Sequence, residues 1–525
     1  MTETAPPGPP TWRVSLALFA LTAWPAWLVA LPPFQDLPNH LASAYVQLHP
    51  EQYPELVSNG FFKTNSALFL FLHLVAPLVG LRVAAKLFIT LVVAAGAVIY
   101  PRVVARFGSR NLYSASFVLV PFVHNWFVAM GMLDFALGVP LSLAMLLALD
   151  AHRRTPSAFR GIGVVLVSLA VWYAHAFSLV IACLLAGIEV VATGAWRDLR
   201  PKWSAAKVLL VPLLPVTLLT VSSVVTQIHG ATELDSATLN RGVPSLLYSA
   251  FAEWFWPLTK WTISSFAACA VIAFYGLRRI KQPSIPFFST TATIALGLAY
   301  VLVPHVTHRW YYMDARFLPY FWVALLLRMP EKLPRVLTFV LAAASLEFSV
   351  GLGIEEVKVA SDFERFERGE PYVPEHARTL TFVFDRKGRY GDNTFPMLHL
   401  WGLYAIDRHT HTPHFFAHSP SFPITEIAPP PPELTQLVLE GFEDLMHTSV
   451  HFCTALRTLG LVPHDCAASY RAAWADFWQN MSPRFDRVVF FEPTADVRAA
   501  VPSSFRTLFD EDGVMVLATS QVTGE

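Results

Sequence analysis

The sequence predicts a polytopic α-helical membrane protein of about eleven transmembrane helices, followed by a C-terminal extracytoplasmic α/β domain. Three observations lead there. Hydrophobic residues make up 54% of the 525 and charged residues 14%, and the apolar residues come in long blocks, which a soluble domain does not need. Basic residues collect in alternate connections between those blocks. After Gly351 the composition turns polar for a stretch long enough to hold a core of its own. Net charge is zero, so no global field points to nucleic acid, and the distribution of charge along the chain carries the information.

The first apolar block, Trp12–Leu31, is preceded by little charge and reaches the roughly 20 residues needed to cross a bilayer. No cleavage pattern of small residues separates it from Asp36, so it reads as an uncleaved span. Further candidate spans are Val83–Tyr100, Leu112–Val128, Leu133–Leu149, Ile162–Ala174, Ala176–Thr193, Val208–Val224, Ile263–Leu277, Pro286–Val303, Ala315–Leu327 and Leu333–Gly351. Ala67–Gly80 is short and contains Pro77; it is either a span or an interfacial segment. Cations decide the count. The clusters Arg102/Arg106/Arg110, Arg153/Arg154/Arg160, Arg197/Arg200/Lys202/Lys207, Arg278/Arg279/Lys281 and Arg328/Lys332/Arg335 all fall on the N-terminal side if Ala67–Gly80 does not cross. The expected topology therefore places the N-terminus in the cytoplasm and the C-terminal domain outside it. Residues 1–351 form the transmembrane domain, with a first outer loop at 32–82, and residues 352–525 form the extracytoplasmic domain.

That topology gathers ionisable residues on the outer face. The first loop carries Phe34-Gln35-Asp36-Leu37-Pro38-Asn39-His40, in which Pro38 suits the first turn of a helix and Asp36 sits just before it. Leu41, Ala44, Tyr45 and Leu48 then recur at the helical period, with His40, Ser43 and Gln47 opposite, the pattern of a helix lying on a membrane surface. Asp36 is either a capping carboxylate or a catalytic one. Asp134 stands between apolar neighbours near an outer boundary and needs a partner there, as a helix cap or as a ligand of substrate or metal. His175 marks a tight outer turn inside a long apolar run. The fifth outer loop combines His305, His308, Arg309, Asp314 and Arg316 with aromatic residues. Its arginines suit a phosphate, or else pair with Asp314.

In the C-terminal part, Thr379–Phe384, Arg487–Phe491 and Val514–Ala518 read as strands, and Glu433–His447 and Ala467–Asn480 as helices, with a stiff linker at Pro429–Pro432. Cys453 and Cys466 lie there and can pair in an oxidising compartment. The tract from Asp407 to His418 is histidine-rich, and His409 and His411 would share one strand face, although no spacing rule fixes a third metal ligand. No Walker loop, dinucleotide glycine pattern, nucleophile elbow or paired CxxC is present, which argues against a nucleotide-driven motor.

With those residues placed, the chain resembles the polytopic glycosyltransferases of the GT-C superfamily. The resemblance rests on the first span followed by Asp36 near a helix start, on the many-span body and on the outer C-terminal domain. It implies transfer of a sugar from a polyprenyl-phosphate donor to a lipid or polysaccharide acceptor at the extracytoplasmic face, in a bacterial inner membrane. Asp36 would be the general base, and His40, Asp134, His175, His305, His308, Arg309 and Arg316 would meet the substrates. Asp36 and the fifth-loop arginines would face a common cavity. No cofactor is required on this reading, and the metal ligands, if any, are unknown. Many members carry two adjacent acids in the first loop, whereas Asp36 has none beside it. Two other classes also fit a many-span body with convergent polar groups. A transporter or flippase of a lipid-linked or polar solute would show an internal repeat, which is not evident. An inactive envelope-assembly scaffold is favoured by the missing second acid.

Overall fold

The computed structural model describes residues 11–108, 115–195, 197–229, 238–239, 241–258, 263–281, 285–307, 310–417, 422–428, 430–461, 465–481 and 484–518. The chain divides into two compact units, one of residues 1–32 with 61–356, the other of residues 33–60 with 357–525. The segment after the first helix thus belongs with the C-terminal part.

The first unit is helical. Among the described residues four helices are long and apolar enough to cross a membrane: Leu81–Phe107, Leu133–Arg154, Leu199–Ser223 and one beginning at Arg335. Shorter apolar helices are Thr11–Ala23, Ala67–Val79, Ala158–Ala174, Ala176–Ala192, Ser264–Arg278, Thr290–Leu302 and Ala315–Leu326. Burial separates their roles. Leu133–Arg154 buries 72% of its apolar window and is a core helix, whereas Leu199–Ser223 buries 17% and leaves most of its apolar window uncovered by the described residues. Gly80, at φ +83°, ends the helix Ala67–Val79 and starts the next without a loop.

Two expected spans take another form. Trp12–Leu31 is helical only over Thr11–Ala23, because Pro25 opens a separate turn at Pro25–Trp27. Leu112–Val128 is not one helix: Val120–Val123 and Trp126–Ala129 are short turns broken at His124 and Asn125, where the Asn125 side chain accepts a hydrogen bond from the Phe127 N–H at 3.0 Å. Residues 109–114 lie outside the described residues. Three short segments are joined by backbone pairing, since Thr238–Leu239 pairs with Val306–Thr307, which pairs with Trp310–Tyr311.

The second unit is an α/β domain. Its four-stranded sheet runs Thr379–Val383, Arg487–Phe491, Val514–Ala518, Arg506–Glu511 in spatial order; the first pair is parallel and the others antiparallel. Phe382, Phe490 and Leu517 meet Trp474 and Trp478 of helix Cys466–Met481 in its core. Cys453 and Cys466 form a disulfide between helices Ser449–Thr458 and Cys466–Met481. The helix Leu37–Leu48 does not lie with a polar face outward. Asn39, Ser43 and Gln47 are buried with its apolar residues, and the Gln47 amide donates to Ser58 Oγ and the Pro423 carbonyl at 3.0 Å each. Neighbouring strands Leu56–Ser58 and Ile424–Glu426 supply the partners that a membrane surface was expected to supply.

Candidate active site

Asp36 occupies the N-cap position of helix Leu37–Leu48, and its carbonyl accepts the His40 N–H at 3.0 Å, yet its carboxylate makes no capping hydrogen bond. The side chain is engaged differently. Gln35 Nε2 donates to Asp36 Oδ1 at 3.3 Å, and His399 Nε2 lies 3.4 Å from the same oxygen. Gln35 is held at its other end by the Phe395 N–H, 2.9 Å from Oε1. His399 is buried, with its ring edge-on to Phe416 at 4.9 Å, and neither nitrogen forms a hydrogen bond with a described protein group. The close approach depends on Gly402. A Cβ there would stand 2.5 Å from the Pro38 carbonyl oxygen, so only glycine lets helix Trp401–Asp407 press against the start of Leu37–Leu48. His40 is half-buried on the same helix.

His399 was missed in the sequence because nothing local marks it. It lies in an irregular segment far from Asp36 in sequence, and the Gly402 contact and the Gln35–Phe395 hydrogen bond are among the long-range contacts that bring it alongside.

In the first unit, His175 and Arg316 come together, beside the residue that follows Asp134. Asp134 Oδ1 accepts the Leu68 N–H at 2.8 Å, capping the helix Ala67–Val79, so this carboxylate has a structural partner. The next residue, Phe135, faces the His175 ring edge-on at 5.0 Å and the Arg316 guanidinium at 5.6 Å from its ring centre. Arg316 is buried, lies equally over Phe177, and places Nη1 3.3 Å from His175 Nε2. Gly138 makes room for this: a Cβ would stand 2.9 Å from His175 Cβ and 2.8 Å from Ser178 Oγ. Thr64 latches the preceding loop to the same turn, donating to the Trp172 carbonyl at 2.7 Å and accepting the Ala176 N–H at 2.9 Å. Its neighbour Lys63, which the sequence reading passed over, is pushed down to about 8 by burial.

His305 belongs to a second, ion-paired group. Its Nδ1 lies 2.9 Å from Asp314 Oδ1, Arg241 Nε lies 3.5 Å from Asp314 Oδ2, and Arg241 Nη2 lies 2.6 Å from Glu253 Oε1. Asp314 is thus taken up by His305 and Arg241, which the pairing of Thr238–Leu239 with Val306–Thr307 brings alongside; of the two arginines expected to pair with it, Arg316 lies instead beside His175 and Arg309 is outside the described residues. His308 and Arg309 lie outside the described residues. The histidine tract also departs from the single strand face expected for it. His411 pairs with Glu55 at 2.7 Å, while His409 has a left-handed backbone at φ +58° and turns away.

Comparison with known proteins gives one kind of answer. No family model matches the chain, and no curated protein matches its sequence. Among solved structures, the chain is similar to the crystal structure of ArnT from Cupriavidus metallidurans in the apo state, with TM-score 0.50 and 12% identity over 98% of both chains. That likeness is one of fold, over nearly the whole of both chains, and together with the long apolar helices it supports a polytopic helical membrane protein.

Proposed function

We propose that the protein is a membrane glycosyltransferase that moves a sugar from a polyprenyl-phosphate donor to an acceptor hydroxyl on the extracytoplasmic side, with Asp36 as general base. The observation that carries this reading is the state of Asp36. Its carboxylate is not spent on the helix it precedes; Gln35 and His399 hold it in place, and part of its surface is left to meet a substrate. A carboxylate fixed this way can take the proton from an acceptor hydroxyl as the oxygen attacks the anomeric carbon. The bond from that carbon to the donor phosphate breaks, and the phosphate departs as an anion. Gln35 and His399 act by positioning, since both approach the oxygen Oδ1 and leave the other oxygen to the acceptor.

A departing phosphate calls for cationic donors in a place that excludes water. The residues this reading assigns to it are Arg316 and His175 of the first unit, both buried and walled by Phe135 and Phe177. Asp134 has the supporting role of capping the helix Ala67–Val79 through the Leu68 N–H. The reading does not need a metal at Asp36.

The test is transfer of sugar from a polyprenyl-phosphate donor by the purified full chain. Asp36→Asn keeps the side-chain shape and removes the base; it should abolish transfer while donor binding persists. Arg316→Ala should weaken donor binding. An Asp36→Asn protein that transfers sugar at the wild-type rate would dispose of the assignment.

A further inference from the structure

We propose that Glu375, His376 and His409 form a binding site for a divalent transition-metal ion of the zinc class on the second unit, apart from Asp36 and its partners. One nitrogen from each histidine and one carboxylate oxygen all lie within 4.8 Å of one another. Two imidazoles and one carboxylate are the donor set of zinc sites that complete their shell with water. A single oxygen ligand is too few for calcium or magnesium.

The backbone builds this cluster. Residues 376–379 lie alongside 408–411: the His376 N–H donates to the Arg408 carbonyl at 3.0 Å, the His411 N–H to Ala377 at 3.0 Å, and the Thr379 N–H to His411 at 2.8 Å. His376 and His409 are thereby held side by side, with ring centres 5.4 Å apart. Both have φ of +58°, a conformation that glycine adopts without strain, and His409 follows the end of helix Trp401–Asp407, where glycine is the usual residue. Histidine at both positions aims two imidazoles at one point. The His409 ring is further fixed by stacking on Tyr45, centres 5.0 Å apart and planes within 5°.

The charges around the cluster suit a cation. Glu375 meets Arg408 only at 3.9 Å, which leaves its carboxylate able to turn to an ion. His49, whose ring lies 4.4 Å from Tyr45, is drawn toward Glu51 at 3.7 Å. Glu375 and His376 are exposed, so an ion reaches the site from solvent. Through Tyr45 the ion would tie the 375–376 and 409 segments to helix Leu37–Leu48, whose first turn follows Asp36.

The experiment uses untagged full chain in detergent. Zinc is titrated against a chromophoric chelator, and cobalt is added separately to read its visible absorption. Wild type should take up one tight equivalent of zinc and show the intense bands of four-coordinate cobalt. His376→Gly and His409→Gly remove ligands at positions whose backbone favours glycine, so they should fold and lose at least tenfold in zinc affinity. His411→Ala, whose imidazole is on Glu55, should keep the equivalent. Wild type that cannot compete with the chelator would overturn the proposal, as would an undiminished equivalent in both glycine variants, or its loss in His411→Ala alone.

Discussion

His399 Nε2 stands 3.4 Å from Asp36 Oδ1, a buried imidazole beside a carboxylate whose side chain keeps 16% of its surface exposed. The pairing explains how one acid without an acidic neighbour can be held ready. The Gln35 amide, itself held by the Phe395 N–H, donates to the same oxygen.

Replacing His399 should therefore slow transfer without removing the base. His399→Phe keeps the ring against Phe416 and deletes both nitrogens. We expect kcat to fall by about 10-fold to 100-fold, against roughly 100-fold to 10,000-fold for Asp36→Asn, with donor KM unchanged in both. Steady-state kinetics distinguish the two. A His399→Phe enzyme with wild-type kcat would make His399 a packing residue only.

Gly138 should behave as a spacer for the Arg316–His175 pair. An alanine methyl there meets His175 Cβ at 2.9 Å, an atom bonded directly to the backbone, so the helix or the turn must shift. Gly138→Ala should lower stability by about 1–3 kcal/mol and weaken donor binding. Gly163→Ala, with nothing within 4 Å of the added methyl, should do neither. Thermal unfolding and donor titration of the two variants form the comparison.

The parts of this protein that were legible in the sequence are those with local causes. Strands Arg487–Phe491 and Val514–Ala518 fall where their β-branched and aromatic runs placed them, and helix Cys466–Met481 extends the expected Ala467–Asn480 by one residue at each end. Strand Arg506–Glu511 was missed because it is an edge strand with a bulge and little apolar patterning. Helix Leu37–Leu48 was expected at the right place but in the wrong surroundings. Periodicity reports which face is polar, and only long-range partners such as Pro423 decide whether that face meets water or protein. Asp36, Asp134, His175 and Arg316 stood out as ionisable residues at the ends of apolar runs. Their partners His399, Leu68 and Phe135 carried no such signal.

His414 should make the second unit sensitive to acid. Its imidazole is buried and stacks near Trp401, 6.0 Å between centres, and burial pushes it down to about 3 from the ordinary 6.5. The folded form therefore stays neutral while the unfolded chain takes up a proton below about 6.5. Stability from this residue is complete above that pH and is lost as pH falls toward 3, at up to about 1.4 kcal/mol per pH unit. His414→Phe should flatten the fall in melting temperature between pH 6.5 and the acid limit. An unchanged slope would assign the acid sensitivity to other groups.

The Cys453–Cys466 bond leads to a prediction about both stability and compartment. It closes a short loop between two helices that pack on the sheet, with a sequence separation of 13 and Cα atoms 5.9 Å apart. Closing a loop of that size restricts the unfolded chain by about 3 kcal/mol in the chain-entropy account. Cys453→Ser with Cys466→Ser should lower the denaturation midpoint of the second unit by a corresponding amount, and a reductant should do the same to wild type but not to the variant. The bond also needs an oxidising surrounding to persist, so its state in cells tests the extracytoplasmic placement expected from the alternation of basic connections. Protein trapped with an alkylating reagent directly from cells should then carry label on Cys183 and Cys269 alone after unfolding. Label on Cys453 and Cys466 without prior reduction would place the second unit in a reducing compartment, and Asp36, which belongs to that unit, would lose its proposed role with an extracytoplasmic substrate.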